Sequence, residues 1–387
     1  MKLKASVVYS VSILAILLIS ACGEQDRSPV VDIQQSVYDP GVNTRSFYMS
    51  MTPHPYDYVP DAVNETYAFV NAHTDMICHH FDNGIPWPEA FEKRAYHPAV
   101  EEDLNFRDDK LERNQPVYLA IAPLHTDRHS MALYWGESSQ MERPEDWKQR
   151  EFDDPEVISA YINFCIDLIQ RFDPVYMNYG VEVSGTWKSE SDPHFLQFLT
   201  FCEEVYTSLK ATYPDLPVFV SLMKPTEKLT ASQKTINRLL LQYSDFVTVS
   251  TYPFGIMDGI PPGHPDNLSR DWFSSMVALA PEKPFAVAET GYNAEDLIIS
   301  EYDWNIEGKE EWQAEYVAFL LEEMNRLDAV FVVWFVSWDY DLAYERIEDM
   351  NFPPWVKIWK DCGFLDEKGT PRQSLGVWDT WLQLERD

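Results

Sequence analysis

Positive charge, glycine and cysteine are all scarce in this chain. Thirty lysines and arginines stand against 63 aspartates and glutamates, a formal charge of −33. Such a surface repels phosphate backbones, which excludes nucleic acid as a partner. The same field disfavours polyanionic glycans wherever no local basic patch gathers them. Glycine contributes 14 of 387 residues, and none falls in 46–56. A doubly wound nucleotide-binding sheet needs a glycine-rich turn after its first strand, so that architecture is excluded. The five cysteines form no C-x-x-C pair, so no thiolate metal site is expected, and no cofactor motif is present. No apolar run reaches the roughly 20 residues that span a bilayer.

The longest such run, 7–19, comes after Lys2 and Lys4 and ends at Leu18-Ile19-Ser20-Ala21-Cys22. Small residues before a cysteine resemble a bacterial lipoprotein signal. The resemblance implies cleavage after residue 21 and acylation of Cys22, hence a membrane partner through a lipid anchor. Gly23, rather than Asp, after the cysteine implies outer-membrane sorting in a didermal host. Residues 22–44 lack periodicity and carry Ser28-Pro29 and Pro40-Gly41, so they read as a tether. Residues 45–387 hold no Gly/Ser/Pro-rich linker and no fixed-period repeat, and a single monomeric domain is expected. Of the remaining cysteines, Cys165 and Cys202 fall in consecutive helical patterns, which leaves both a disulfide and buried free thiols open.

From residue 46 onward, short β-rich runs alternate with helical patterns, as parallel βα units do. The runs are 46–51, 75–79, 116–122, 175–181, 217–222, 246–250, 285–288 and 329–335. Most are apolar nearly throughout, as strands buried on both faces are. Amphipathic patterns lie between them at 62–71, 155–172, 195–212, 231–242, 270–279 and 310–326. In 155–172, Ile158, Tyr161, Ile162, Cys165, Leu168, Ile169 and Phe172 share a face, and Asp153-Asp154-Pro155 supplies the start signal. Eight such units predict a (β/α)8 TIM barrel, whose active site sits where the strands end.

The residues just beyond each strand are therefore the informative ones. His54 comes after the first, His79, His80, Asp82 and Trp87 at or after the second, and His125 and Asp127 after the third. Glu182 closes the fourth, Lys224 lies past the fifth, Tyr252 past the sixth and Glu289 past the seventh; Trp334 and Trp338 close the eighth. A glutamate at the end of an apolar strand is either desolvated or faces a cleft. Two of them, at strands four and seven, match the paired carboxyl groups that retaining glycosidases use about 5–5.5 Å apart. A structural acid is the alternative for either glutamate taken alone.

Acid/base after strand four and nucleophile after strand seven resembles the clan A glycoside hydrolases. Within that clan, the chain is most similar to the endo-β-1,4-galactanase family (family 53). Three segments carry the likeness: Tyr179-Gly180-Val181-Glu182-Val183, Ser250-Thr251-Tyr252-Pro253 and Glu289-Thr290-Gly291-Tyr292. The resemblance implies Glu289 as nucleophile, Glu182 as general acid/base, and Tyr252 as a hydrogen-bond donor that keeps Glu289 ionised. It implies Trp334 as the sugar platform, while Trp87, Trp187 and Trp338 are candidate floors of adjoining subsites. His54, His79, Asp82, His125 and Asn178 complete the candidate carbohydrate-binding set. The departure is Val181, which stands where the clan places an asparagine that bonds the sugar 2-hydroxyl. Its loss costs on the order of 10²–10³ in rate if nothing replaces it. Non-catalytic glycan binding is the alternative that Val181 favours. A metal-dependent hydrolase would carry His-x-His after its first strand, and Met51-Thr52-Pro53-His54 lacks it.

The signal makes one prediction of its own. Cys22→Ser should leave the protein unacylated and move it from the membrane fraction to the soluble fraction. Labelled-palmitate incorporation and cell fractionation measure this, and a variant that stays on the membrane contradicts the anchor.

Overall fold

The computed structural model describes residues 38–255, 261–348 and 354–387. The signal segment, Cys22 and the tether up to residue 37 lie outside the described residues. Eight strands form one sheet: β1 (Tyr48–Met51), β2 (Ile77–Phe81), β3 (Val117–Ile121), β4 (Tyr176–Gly180), β5 (Val218–Met223), β6 (Val247–Thr251), β7 (Phe285–Thr290) and β8 (Phe331–Trp334). Their order is β1-β8-β7-β6-β5-β4-β3-β2, a nearly closed parallel (β/α)8 barrel, as the alternation predicts. Each of the eight predicted runs contains its strand or is outrun by it at the C-terminal end. Both β3 and β6 are buried along their whole length, which is why their sequences read as unbroken apolar or hydroxyl-bearing runs.

The helices are α1 (Pro60–Ala72), α2 (Trp87–Glu92), α3 (Pro98–Asp109), α4 (Pro155–Phe172), α5 (Pro193–Thr212), α6 (Ala231–Leu240), α7 (Ser274–Val277), α8 (Glu310–Arg326), α9 (Asp341–Glu348) and α10 (Gln373–Leu382). Their starts are set by local chemistry. Asp154 caps α4 by accepting the Glu156 N–H at 2.8 Å, and Asp192 caps α5 through the His194 N–H at 3.1 Å. Proline at the first position of both helices loses no hydrogen bond there. Thr230 and Gln233 form a reciprocal capping box on α6. The buried face of α4 includes Val157, Ala160 and Phe164, and leaves Ile158 and Ile162 at its margin. The 270–279 pattern collapses to the single turn of α7. Conversely, α3 buries only Val100 and Leu104, too few apolar positions to announce a helix in the sequence.

The chain divides into two compact units, each with its own packing. The first comprises 78–250 and 274–288. Its core is aromatic: Phe152, Phe198 and Phe201 interlock at 4.9–5.7 Å, and the Tyr161 hydroxyl donates to the Tyr179 carbonyl at 2.7 Å. Cys165 and Cys202 are buried free thiols, which burial pushes to high pKa.

The second unit takes in the described residues up to 77, 251–273 and 289–387. Residues 38–44, the end of the tether stretch, and Arg45 are pinned to it. Trp381 donates to the Tyr38 hydroxyl at 3.1 Å, and Thr44–Arg45 pairs in parallel with Glu385–Arg386. The buried Arg372 donates to Asp339 at 2.6 Å and to Glu295 at 2.7 Å, tying the C-terminal segment to the residues after β8.

Asp75 plays the same part at the start of the barrel. Its carboxylate accepts the Met49 N–H and the Nη2 of buried Arg45, both at 2.7 Å. Removing it strands a guanidinium and an amide from water. Asp75→Ala should therefore lower the unfolding free energy by about 3 kcal/mol, and Asp75→Asn by less. Urea denaturation at neutral pH measures the difference; equal losses in both variants contradict the account.

Candidate active site

Glu289 is the fifth residue of β7, inside the strand rather than after it. Strand alternation sends its neighbour Thr290 the other way, where the Thr290 hydroxyl bonds the Thr251 carbonyl at 2.7 Å and the Tyr316 hydroxyl of α8 at 2.6 Å. Glu289 thus lies on the face opposite the helices. There its Oε1 accepts the Tyr252 hydroxyl at 2.5 Å, with both side chains buried. Position 291 is glycine because a Cβ would stand 2.4 Å from the Phe335 carbonyl oxygen and 3.2 Å from the Tyr252 ring. Tyr292 closes the motif by stacking on Tyr316 at 4.7 Å and donating to the Gly263 carbonyl. Every residue of Glu-Thr-Gly-Tyr therefore serves to fix the Glu289 carboxylate and its tyrosine donor.

Glu182 is delivered by an irregular strand end. Asn178 pairs with Phe219 and Gly180 with Val220, so β4 carries one extra residue, Tyr179. A bulge of this kind re-aims the chain beyond it. A Cβ on Gly180 would meet Val183 and Val220 methyls at 2.7 and 2.9 Å, so glycine is required. Glu182 itself adopts φ 52°, a left-handed conformation that costs a non-glycine residue about 1–2 kcal/mol. The Ser221 hydroxyl of β5 accepts the Glu182 N–H at 2.9 Å and holds the turn.

The Glu182 side chain meets a cation. Arg128, from the loop after β3, donates from Nε at 2.9 Å and from Nη2 at 2.8 Å to Oε2 of Glu182. The pair is about as enclosed as the core, at 1% and 3% exposure. Its loop rests directly on the Glu182 turn: a Cβ on Gly185 would stand 2.2 Å from the Arg128 carbonyl oxygen. Sequence reasoning selected His125 and Asp127 after this strand and passed over Arg128. The signal available was a basic residue, in a chain poor in them, on the same strand-end loop as His125.

The other candidates divide. Asp82 and His125 lie beyond β2 and β3, both half-buried, and the His125 Nδ1 lies 3.9 Å from Asp127. Burial lowers the His125 pKa, Asp127 opposes that, and the nearby Arg128 charge lowers it further. His54 lies beyond β1 and packs against Phe335 at 5.5 Å and Tyr340 at 5.2 Å. Trp338 is half-buried and lies against Tyr56, ring centroids 4.3 Å apart. Tyr252, Trp359, Phe335 and His54 form a continuous aromatic arc in the second unit, of which Trp359 and Phe335 were not anticipated.

Five candidates are buried among other side chains. Trp334, expected as the sugar platform, is fully buried. It stacks on Phe364 at 4.8 Å, contacts Tyr316 of α8, and donates to the Cys362 carbonyl. Trp87 is fully buried beside Trp147 and Tyr161. Trp187 stacks on Phe198 at 5.3 Å and donates to the Val183 carbonyl. Asn178 is saturated inside the sheet, donating to Tyr118 at 2.9 Å and Ser221 at 3.2 Å and accepting from the Gly180 N–H. His79 sits mid-strand in β2 against Phe172 of α4, which places it on the helix side.

Among the described residues, one trio could hold a metal: carboxylate oxygens of Glu295, Asp339 and Asp361 lie within 4.8 Å of one another. Arg372 and Lys360 already donate to them, so the donor set is that of a salt-bridge network.

No protein-family model and no curated protein matches the sequence. Solved structures do. A variant GH5_18 protein from Streptomyces cattleya, in complex with Manβ1-4GlcNAc, superposes with a TM-score of 0.60 at 16% identity, covering 87% of this chain and 80% of that one. The GH53 catalytic domain of Ignisphaera aggregans gives 0.52 at 17%, covering 81% and 87%. An exo-β-1,4-mannosidase from an Opitutaceae bacterium gives 0.57 at 12%, covering 92% and 62%. At such identities the likeness establishes the fold, and GH53 is not set apart among these glycoside hydrolase barrels.

His79 supplies a test of the corrected placement. Burial first, and the Arg107 charge second, lower its pKa from 6.5 to about 3. Folded-state depression means its contribution is present above pH 6.5 and is lost as pH falls toward 3, while the unfolded chain takes up the proton. By pH 4.5 the loss amounts to about 2–3 kcal/mol. Unfolding titrations of His79→Leu should show a flatter pH dependence between 4.5 and 7 than the parent; an unchanged slope refutes the buried neutral histidine.

Proposed function

We propose that this chain is a retaining glycoside hydrolase acting on a β-linked oligosaccharide or polysaccharide. Glu289 is its nucleophile and Glu182 its general acid/base. The observation that carries the proposal is Glu289 itself: a buried carboxylate on the face of β7 opposite the helices, fixed by the Tyr252 hydroxyl within a Glu-Thr-Gly-Tyr frame. Structural acids in this unit, Asp75 and Asp339, are clamped by arginines, and Oε1 of Glu289 accepts the Tyr252 hydroxyl. A phenol in this position orients an attacking carboxylate. The fold supports the same reading, because glycoside hydrolases are what this barrel superposes on. Three of the matched structures have GlcNAc or Manβ1-4GlcNAc bound, and a neutral β-linked sugar also suits the acidic surface. In the proposed setting the enzyme is monomeric and tethered by lipid at Cys22 to the outer membrane.

A second reading is favoured by one observation. Val181 is buried and presents methyl groups where the resembled clan has an amide, so a glycan could be bound on this barrel without being cut.

One experiment separates the two. The protein is assayed against a panel of β-glycans and aryl β-glycosides, with Glu289→Ala alongside. Turnover that falls by at least about 10⁴-fold in the variant is expected for loss of a nucleophile. Glycan affinity by calorimetry without any turnover selects the binding protein instead, and an active alanine variant removes Glu289 from the mechanism.

A further inference from the structure

The proposed acid/base is held by a guanidinium, and a proton donor is not expected in such company. Two N–H groups of Arg128 converge on one oxygen of Glu182 at 2.8–2.9 Å, and both side chains are almost fully buried. An opposite charge at this distance favours the ionised carboxylate. A general acid must instead carry its proton at the start of the reaction, which glycosidases ordinarily secure by an apolar setting. We infer that Arg128 is a positioning residue that keeps Glu182 ionised in the resting protein and confines its action as an acid to low pH. The inference deepens the glycosidase reading and rests on it for its kinetic consequence.

The two half-reactions are affected in opposite senses. In the first, a Glu289 oxygen bonds to the anomeric carbon, the glycosidic C–O bond breaks, and the departing oxygen takes the proton from Glu182. In the second, a water oxygen bonds to that carbon, the ester C–O bond to Glu289 breaks, and Glu182 takes the proton of the water. An ionised, anchored Glu182 suits the second step and impedes the first. Substrates whose leaving group departs without a proton escape the impediment.

Within its own unit, several polar and titratable groups pack around the Glu182 turn. Ser221 of β5 binds the Glu182 backbone through an uncharged hydroxyl. Asp127, on the Arg128 loop, is occupied by the Ser130 hydroxyl and by the N–H groups of His129 and Ser130. His125, on the same loop, is pushed by burial toward its neutral form. His129 and His194 of α5 pack against the Trp187 ring that covers this turn. Beneath the strand end, Tyr118 and Asn178 are bonded to each other. Arg128 (φ 51°) and Glu182 (φ 52°) both adopt left-handed backbone conformations.

The test reads the carboxyl directly and does not depend on activity. The Glu182 side-chain carbon is followed by ¹³C NMR across pH in the full chain in detergent, assigned by its loss in Glu182→Gln. The expected parent value lies below the ordinary glutamate value of about 4.3. Arg128→Met should raise it by at least about one unit, a tenfold change in proton affinity, and Arg128→Lys by less than about half a unit. A parent value at or above 4.3, or a methionine variant with an unmoved carboxyl, overturns the inference. Should Arg128→Met fail to fold, the parent value and the lysine variant decide it alone. In kinetics, the alkaline limb of kcat/KM for an oligosaccharide should move to higher pH in Arg128→Met and stay in place for a dinitrophenyl glycoside. Absence of any turnover would defeat the glycosidase reading while leaving the carboxyl titration to decide the role of Arg128.

Discussion

Side chains along a strand point alternately to opposite faces, and in this sheet one face belongs to the helices. That single constraint decides which strand-end residues can do chemistry. Thr290 faces Tyr316 of α8, so Glu289 faces away. Trp334 also meets Tyr316, so Phe335, next in the chain, takes the opposite side and joins His54 and Trp359. His79 meets Phe172 of α4 and so lies on the helix side. A shift of one residue would exchange all of these roles.

Glu182 is the case where alternation alone is insufficient. The extra residue at Tyr179 restarts the count, and Tyr179 spends its own side chain on the helix side, donating to the Tyr243 carbonyl at 2.7 Å. The turn beyond it holds a left-handed glutamate, a glycine with no room for a methyl group, and a second glycine pressed on the Arg128 carbonyl. Each is unfavourable in isolation. Hydrogen bonds from the Glu182 and Val183 N–H groups to Ser221 offset them, together with the ion pair to Arg128. The position of this carboxylate is thus a property of three neighbouring strand ends rather than of its own strand.

This difference explains what could be read from the sequence. The strands were legible because burial on both faces leaves continuous apolar runs, and α4, α5 and α8 because their periodicity is dense. Glu289 was legible because its supporting residues are contiguous with it. Arg128 was not, because its partner lies 54 residues away and nothing local distinguishes it from a solvated arginine. Of the four tryptophans that resemblance and position mark as sugar floors, Trp87, Trp187 and Trp334 are buried against aromatic neighbours that the sequence does not display.

Arg128 belongs to a small set. Among the described residues, three arginines of this acidic chain are almost fully buried, Arg45, Arg128 and Arg372, and each is paired with a carboxylate. Two of the pairs also receive a backbone N–H, from Met49 on Asp75 and from Gly363 on Asp339, so each clamps two chain segments together. At Glu182 the arginine directs two N–H groups at one oxygen, and the backbone N–H in play belongs to the glutamate itself and goes to Ser221. The first geometry cements a fold. The second holds one oxygen of Glu182 beside the buried Val181 and fixes where that carboxylate points.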